Sequence, residues 1–272
     1  MEIKASTKSS EKSVNDFDAA VITHYLGTKN KSYEQEAYEI AKSKEWLLKE
    51  PESPYSQAIQ GILFKEPDGK KQYPFPGPKN GFKKFSFIDL FAGIGGFRIA
   101  MQNLGGKCVF TSEWDKAAQI TYEKNFGERP FGDITNERIK GKIPSDFDVL
   151  CAGFPCQAFS IAGKRGGFED TRGTLFYDVA EIIRRHKPKA FFLENVKGLR
   201  SHDKGKTLQT ILNVLRNDLG YFVPEPQVIN AKDFGVPQNR ERIFIAGFRE
   251  DLNISEFKYP EPLEEKKVFE DI

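Results

Sequence analysis

From Phe85 onward, short apolar runs alternate with stretches of helical periodicity, and that alternation restricts the fold more than any other feature of the chain. Strands are predicted at Phe85–Phe91, Lys107–Glu113, Asp148–Gly153 and Ala190–Glu194, then at Tyr221–Asn230 and Arg242–Phe248. Between them helices are predicted at Phe97–Leu104, Lys116–Asn125, Thr174–His186 and Lys204–Asp218, the last with Leu208, Ile211, Leu212 and Leu215 on one face. Strands that alternate with helices imply an α/β fold, a mostly parallel sheet covered on both faces. Ligands in such sheets bind at the carboxyl ends of the strands.

Residues 1–84 differ: they are rich in Lys, Glu and Ser and carry no catalytic pattern. One helix is signalled there. Ser32 and Gln35 have capping-box spacing, and Tyr33, Ala37, Ile40, Ala41, Leu47 and Leu48 fall near one face, with Pro51 ending the helix by Glu50. Tyr73–Gly81 is dense in turn formers and reads as a linker. The expectation is a small, mainly helical extension over 1–84, followed by a catalytic domain over 85–272.

A chain of 272 residues can hold one large α/β domain with an appendage. It has no secretory signal and no apolar run long enough to cross a bilayer, so a cytoplasmic location without membrane attachment is expected. Three cysteines make no disulfide framework. A net charge of +2 says little about partners and is low for a stand-alone DNA-binding domain.

The first strand runs into Asp89-Leu90-Phe91-Ala92-Gly93-Ile94-Gly95-Gly96-Phe97-Arg98. Glycines let backbone approach a ligand closely, and the next helix offers free N–H groups. The spacing is not a dinucleotide fingerprint, which disfavours a pyrophosphate cradle. Glu113 ends the second strand, where a carboxylate suits ribose hydroxyls; Trp114 could lie against an adenine, and Asp133 could accept from its amino group. A structural glycine turn with acidic helix caps would leave the same residues.

Cys108 and Cys151 lie in strand-like runs and read as buried hydrophobes. Cys156 follows Gly153 and Pro155 just past a strand, where a partly exposed thiolate nucleophile could act. Glu194 ends the next strand, partly desolvated and able to serve as a proton donor, or simply as a helix cap or a salt-bridge partner. Arg240 and Arg242 share a face if the segment is extended, suiting a base oxygen and phosphates, or else lie on a solvated edge. The loop between Cys156 and the next helix holds Gly163, Gly166, Gly167 and Gly173 with Lys164, Arg165 and Arg172. That composition suggests a lid over a phosphate backbone, or a flexible surface loop.

With DLFAGIGGFR, SEWD, GDIT, GFPCQAFS, GFEDTRGTLF, ENV and QNRERIFIAGF in this order, the chain resembles the cytosine-5 DNA methyltransferases, chiefly the bacterial restriction-modification enzymes, over about Phe85–Pro260. The resemblance implies a Rossmann-like fold that uses S-adenosyl-L-methionine and acts on duplex DNA with a flipped cytosine. It implies that Cys156 attacks C6, that Glu194 hydrogen-bonds the ring, and that Arg242, with Arg240 close by, holds the base oxygen. Phe91, Gly93, Gly95, Glu113, Trp114, Asp133, Ile134, Pro155 and Leu175 match cofactor-contacting positions. Gln157, Ser160, Lys164, Arg165 and Arg172 are expected to face DNA, and no metal is expected.

The resemblance also implies a target-recognition domain and two last motifs beyond the Arg240–Arg242 block, and the sequence to Ile272 carries neither. The expectation is therefore a second chain that supplies them, with a fragment or a degenerate copy as alternatives. Rival functions are a tRNA cytosine-5 methyltransferase, a nicotinamide dehydrogenase, and a non-catalytic DNA-binding or scaffold subunit.

Overall fold

The computed structural model describes residues 15–26, 31–43, 73–75, 84–155 and 175–264. Its centre is a sheet of seven strands among the described residues: β1 (Phe85–Leu90), β2 (Gly106–Ser112), β3 (Val149–Ala152), β4 (Ala190–Val196), β5 (Tyr221–Phe222), β6 (Gln227–Asn230) and β7 (Glu241–Arg249). The order is β2-β1-β3-β4-β7-β5, with β6 also on β7. The β1–β2, β1–β3 and β3–β4 pairs are parallel, and β7 runs antiparallel to β4, β5 and β6. The reversal between β1 and β2 on one side and β3 on the other opens a crevice at the carboxyl ends of these strands.

Helices α3 (Gly96–Asn103), α4 (Lys116–Phe126) and α6 (Leu175–His186) connect the parallel strands, with a short turn α5 (Glu137–Lys140) before β3. One face of the sheet buries Phe87, Cys108 and Cys151 against Phe97 and Met101 of α3. The other buries Ile88, Leu90, Phe110 and Leu150 against Phe176, Val179 and Ile183 of α6. The two periodicities of the sequence thus translate directly into two apolar layers, one on each side of the sheet.

Two segments after β4 depart from the sequence expectation. The segment expected as one strand over Tyr221–Asn230 is broken between β5 and β6, where Pro224 and Pro226 have no N–H to give to a ladder. Beside that gap Tyr259 accepts from the Ala246 N–H at 3.1 Å and donates to the Phe244 carbonyl at 3.0 Å, sealing the exposed edge of β7. The helix expected from Lys204 begins at Lys206, because Asp203, Lys204 and Gly205 are left-handed; α7 (Lys206–Asn213) then runs into a π turn over Val214–Asp218.

The N-terminal part holds two helices, α1 (Asp16–Tyr25) and α2 (Lys31–Ser43). The first was not anticipated, although Asn15 caps it by accepting from the Asp18 N–H at 2.9 Å. In the second, Ser32 lies inside the helix and Gln35 donates to Glu39 at 2.9 Å, so the expected capping box does not form; residues 44–50 lie outside those described. Both helices join the main core: Ala20, Val21, Ile22, Tyr25, Ala37 and Ala41 are buried with Phe110 and Phe131. Phe110 and Phe131 stack at 4.9 Å, Phe17 meets Phe131 edge-on, and Tyr25 donates to the Lys142 carbonyl. Of the expected linker, only residues 73–75 are described. Among the described residues no helix is long and apolar enough to cross a membrane.

Candidate active site

The carboxyl ends of β1, β2 and β3 surround a cavity of about 370 Å³, in the range of small-molecule sites. Phe91, Glu113, Trp114, Asp133, Ile134, Pro155 and Leu175 line it, each named from sequence as a cofactor contact, together with Ser112, Gly132 and Gly153, which were not. These three are small residues next to expected contacts, and only their place at strand ends could have flagged them.

Gly93 and Gly95 stand outside that lining and shape the turn. Gly93 is left-handed, with open space where a Cβ would lie, and its N–H donates to Glu113 Oε2 at 2.7 Å. Gly95 is also left-handed, but a Cβ there would fall 2.2 Å from the Phe126 ring. The glycine turn is thus wired on one side to the carboxylate and packed on the other against α4.

Glu113 is 8 % exposed, and its second oxygen accepts from the Asp115 N–H at 2.8 Å. Two backbone donors fix the carboxylate, and each oxygen keeps a lone pair for a ligand hydroxyl. Trp114 is 74 % exposed at the rim, an aromatic surface on which a flat ring could lie. Asp133 accepts from the Thr135 N–H at 2.9 Å through one oxygen. Beneath the turn Asp89 is fully buried, and burial pushes its carboxyl up to about 7, with Arg98 opposing and Glu113 adding to the shift. Arg98 is itself held by Glu128 at 2.6 Å, by Gln102 and by Tyr122.

Next to the cavity lies a second group. Glu194, on β4, has Oε1 2.8 Å from Arg242 Nε and 3.7 Å from Arg240 Nη2. The antiparallel pairing of β4 with β7 makes this meeting, since Val196 stands opposite Arg242. Both arginines reach the same carboxylate, as alternation along an extended segment predicts. The other Glu194 oxygen lies 3.5 Å from the position of a Cβ on Gly153, which lines the cavity, so the two groups adjoin.

Asn195 was quoted in the sequence motif without a role. It is 2 % exposed, donates to the Phe154 carbonyl at 2.8 Å and accepts from the Val196 N–H. It therefore ties the end of β4 to the segment that leads through Pro155 into Cys156. Cys156, Gln157, Ser160, Lys164, Arg165 and Arg172 lie outside the described residues. Cys108 and Cys151 are free and buried as expected, and burial raises both thiols, Cys108 to about 11.

Comparisons with known proteins place the chain in a family. The model of the C-5 cytosine-specific DNA methylase family matches residues 85–272. The Type II methyltransferase M.HpaII of Haemophilus parainfluenzae is 68% identical over 226 residues, 83% of this chain and 59% of that protein. The Type II methyltransferase M.HhaI of Haemophilus parahaemolyticus is 55% identical over 186 residues, 68% of this chain and 56% of that protein. The chain thus spans little more than half the length of these relatives. The crystal structure of a Spodoptera frugiperda DNMT2 mutant shares the fold, with a TM-score of 0.51 at 22% identity over 67% of this chain and 56% of that one. The chain belongs to the C-5 cytosine-specific DNA methylase family.

Proposed function

We propose that the chain is the catalytic part of an enzyme that methylates C5 of cytosine in a specific duplex DNA sequence, within a restriction-modification system. The observation that carries this reading is the adjacency of the cavity to the Glu194–Arg242 pair through Gly153. A cofactor site and a base site that share a wall can bring a methyl donor and a pyrimidine into contact. Residues 85–272 would be the catalytic domain and 1–84 a mainly helical extension.

S-adenosyl-L-methionine fits the residues present and would supply the methyl group. Glu113 would offer its remaining lone pairs to ribose hydroxyls, Trp114 and Ile134 would hold an adenine ring, Asp133 would accept from its amino group, and Phe91, Pro155 and Leu175 would close the apolar sides. Gly93 leaves the turn free of side chain, so the backbone can approach the ligand.

In this reading a cytosine leaves the duplex and enters beside Glu194. The Cys156 thiolate adds to C6, which makes C5 electron-rich; Glu194 hydrogen-bonds N3 and the amino group, stabilising the charge that develops on the ring. Arg242 holds the base oxygen and orients Glu194, with Arg240 near. Once C5 carries the methyl group, its proton passes to water, the C–H electron pair re-forms the C5–C6 double bond and the Cys156 thiolate is expelled. Gln157, Ser160, Lys164, Arg165 and Arg172 are assigned to the loop that closes on DNA.

We further propose that a second chain supplies target recognition. The test is transfer of tritiated methyl groups to mixed-sequence duplex DNA by the chain alone, with the product of the neighbouring reading frame, and with Cys156→Ser. Label in cytosine only with the partner, abolished by the substitution, is expected. Label from the chain alone would sink the two-chain half; no label in any arm would sink the whole reading.

A further inference from the structure

We infer that the groove beside α7 grips the sugar–phosphate backbone of duplex DNA flanking the target cytosine. This inference rests on the DNA reading above and extends it to a surface outside the cofactor and base sites.

The groove, about 1310 Å³, is lined by Arg200, Lys204 and Lys206 at one end and by Gln209, Asn213 and Asn217 along the helix. It is built by amphipathicity. Leu208, Ile211 and Leu212 of α7 are buried in the core, which turns Lys206, Gln209, Thr210 and Asn213 to solvent. From residue 204 to 217 the sequence holds no Asp or Glu. The nearby acids are Asp203, Asp218, which follows the lining residue Asn217, and Glu225, whose carboxylate is held by Arg216 at 2.8 Å.

Several lysines elsewhere on the surface are already paired. Lys116, Lys140, Lys142, Lys189 and Lys197 each hold a carboxylate. Arg200, Lys204 and Lys206 are exposed and form no ion pair among the described residues. Cations left open beside amide side chains are the donor set that phosphodiester oxygens take.

Position points to the same occupant. The chain leaves β4 just after Glu194 and reaches α7 through two short helical turns over 197–205, so the cationic end of the groove stands on the sheet edge that carries the base site. Asp203, Lys204 and Gly205 are left-handed at φ 47°, 54° and 85°.

The test is binding of the full chain, with S-adenosyl-L-methionine, to a fluorescent mixed-sequence duplex over a range of salt concentrations. The variant Arg200→Gln/Lys204→Gln/Lys206→Gln should lower the slope of log K against log salt by about 0.9 for each cation removed, about 2.7 in all. Its melting temperature and cofactor affinity should stay unchanged. A charge-matched variant at the amino edge of the sheet, Lys107→Gln/Lys124→Gln/Lys187→Gln, should keep the original slope. Equal slopes for the original chain and the groove variant overturn the inference, as do equal losses in both variants. Retained duplex binding with lost binding of poly-glutamate would assign the groove to an acidic protein and also overturn it. Failure to methylate with a groove-dependent slope would strike the proposed activity alone; methylation with an unchanged slope would strike the groove alone.

Discussion

Arg242 Nε lies 2.8 Å from Glu194 Oε1, and both side chains are mostly covered, at 24% and 20% exposure. The pair is not an ornament of the surface, where such contacts contribute little. Arg242→Ala leaves the carboxylate with Arg240 as its remaining near cation, at 3.7 Å. Methyl transfer should fall by about 10²-fold or more, the effect of losing one preorganised donor at a developing charge. Folding stability should fall by about 1–3 kcal/mol. Arg242→Lys should regain more of the stability than of the rate, because an ammonium lacks the planar fork. Single-turnover methyl transfer in the assembled enzyme and urea unfolding check both; a full rate in Arg242→Ala removes the pair from the mechanism.

Asn195 should act through the loop it ties down. Asn195→Ala deletes its bonds to the Phe154 carbonyl and the Val196 N–H, leaving a buried carbonyl unpaired at about 1–3 kcal/mol. Phe154 is two residues before Cys156, so the turnover rate should drop while cofactor affinity holds. Thiol alkylation gives a separate readout. Cys108 and Cys151 are buried with raised thiols, so iodoacetamide should label Cys156 alone in the folded chain. Asn195→Ala should change the Cys156 rate without exposing the other two. An unaltered alkylation rate with lost turnover would show that Asn195 does not position the nucleophile.

The parallel core was legible because its strands and helices carry different periods, and most expected cofactor contacts among the described residues follow a strand end. Phe91, Glu113, Asp133 and Pro155 converge in the structure for that reason. Other features left no comparable trace. Helix α1 buries Ala20, Val21, Ile22 and Tyr25 against aromatic rings of the sheet, a tertiary contact without a long amphipathic stripe to announce it. The link from Asn195 to Phe154 crosses 41 positions and depends on the register of β3 with β4. Gly93 and Gly95 look alike in sequence, yet their surroundings differ, and only packing reveals it.

That difference between the two glycines can be measured. Gly93 has φ 56° and no atom within 4 Å of a would-be Cβ, so Gly93→Ala should cost about 1–2 kcal/mol from backbone conformation alone. Gly95 has φ 100°, and an added Cβ meets the Phe126 ring at 2.2 Å and Tyr122 at 3.2 Å. Tyr122 also bonds Arg98 and Thr111, so that ring has little room to yield. Gly95→Ala should therefore cost a further ~1–3 kcal/mol from overpacking. Thermal or urea unfolding of the two variants compares them directly, and equal losses would contradict the packing account.

Asp89 should make stability fall as pH rises from about 4 to about 7. Its carboxyl is raised by burial to about 7 in the folded chain, against an ordinary value of 3.8. Between those values the folded state binds a proton that the unfolded state has released. Stability therefore declines with pH across this window, by at most about 1.4 kcal/mol per pH unit. Above pH 7 the contribution is lost, because the charged carboxylate must then be held buried beside Glu113, with Arg98 as partial compensation. Asp148 acts in a different window: Lys189 and Ser86 hold it at about 2 despite some burial, so its contribution is lost only as pH falls below 3.8 toward 2. Asp89→Asn keeps the shape and cannot ionise, so it should flatten the profile between pH 4 and 7 and leave the acid limb unchanged. Urea midpoints across this pH series check the sign, and a variant that still loses stability toward pH 7 at the original rate would move the effect to another group.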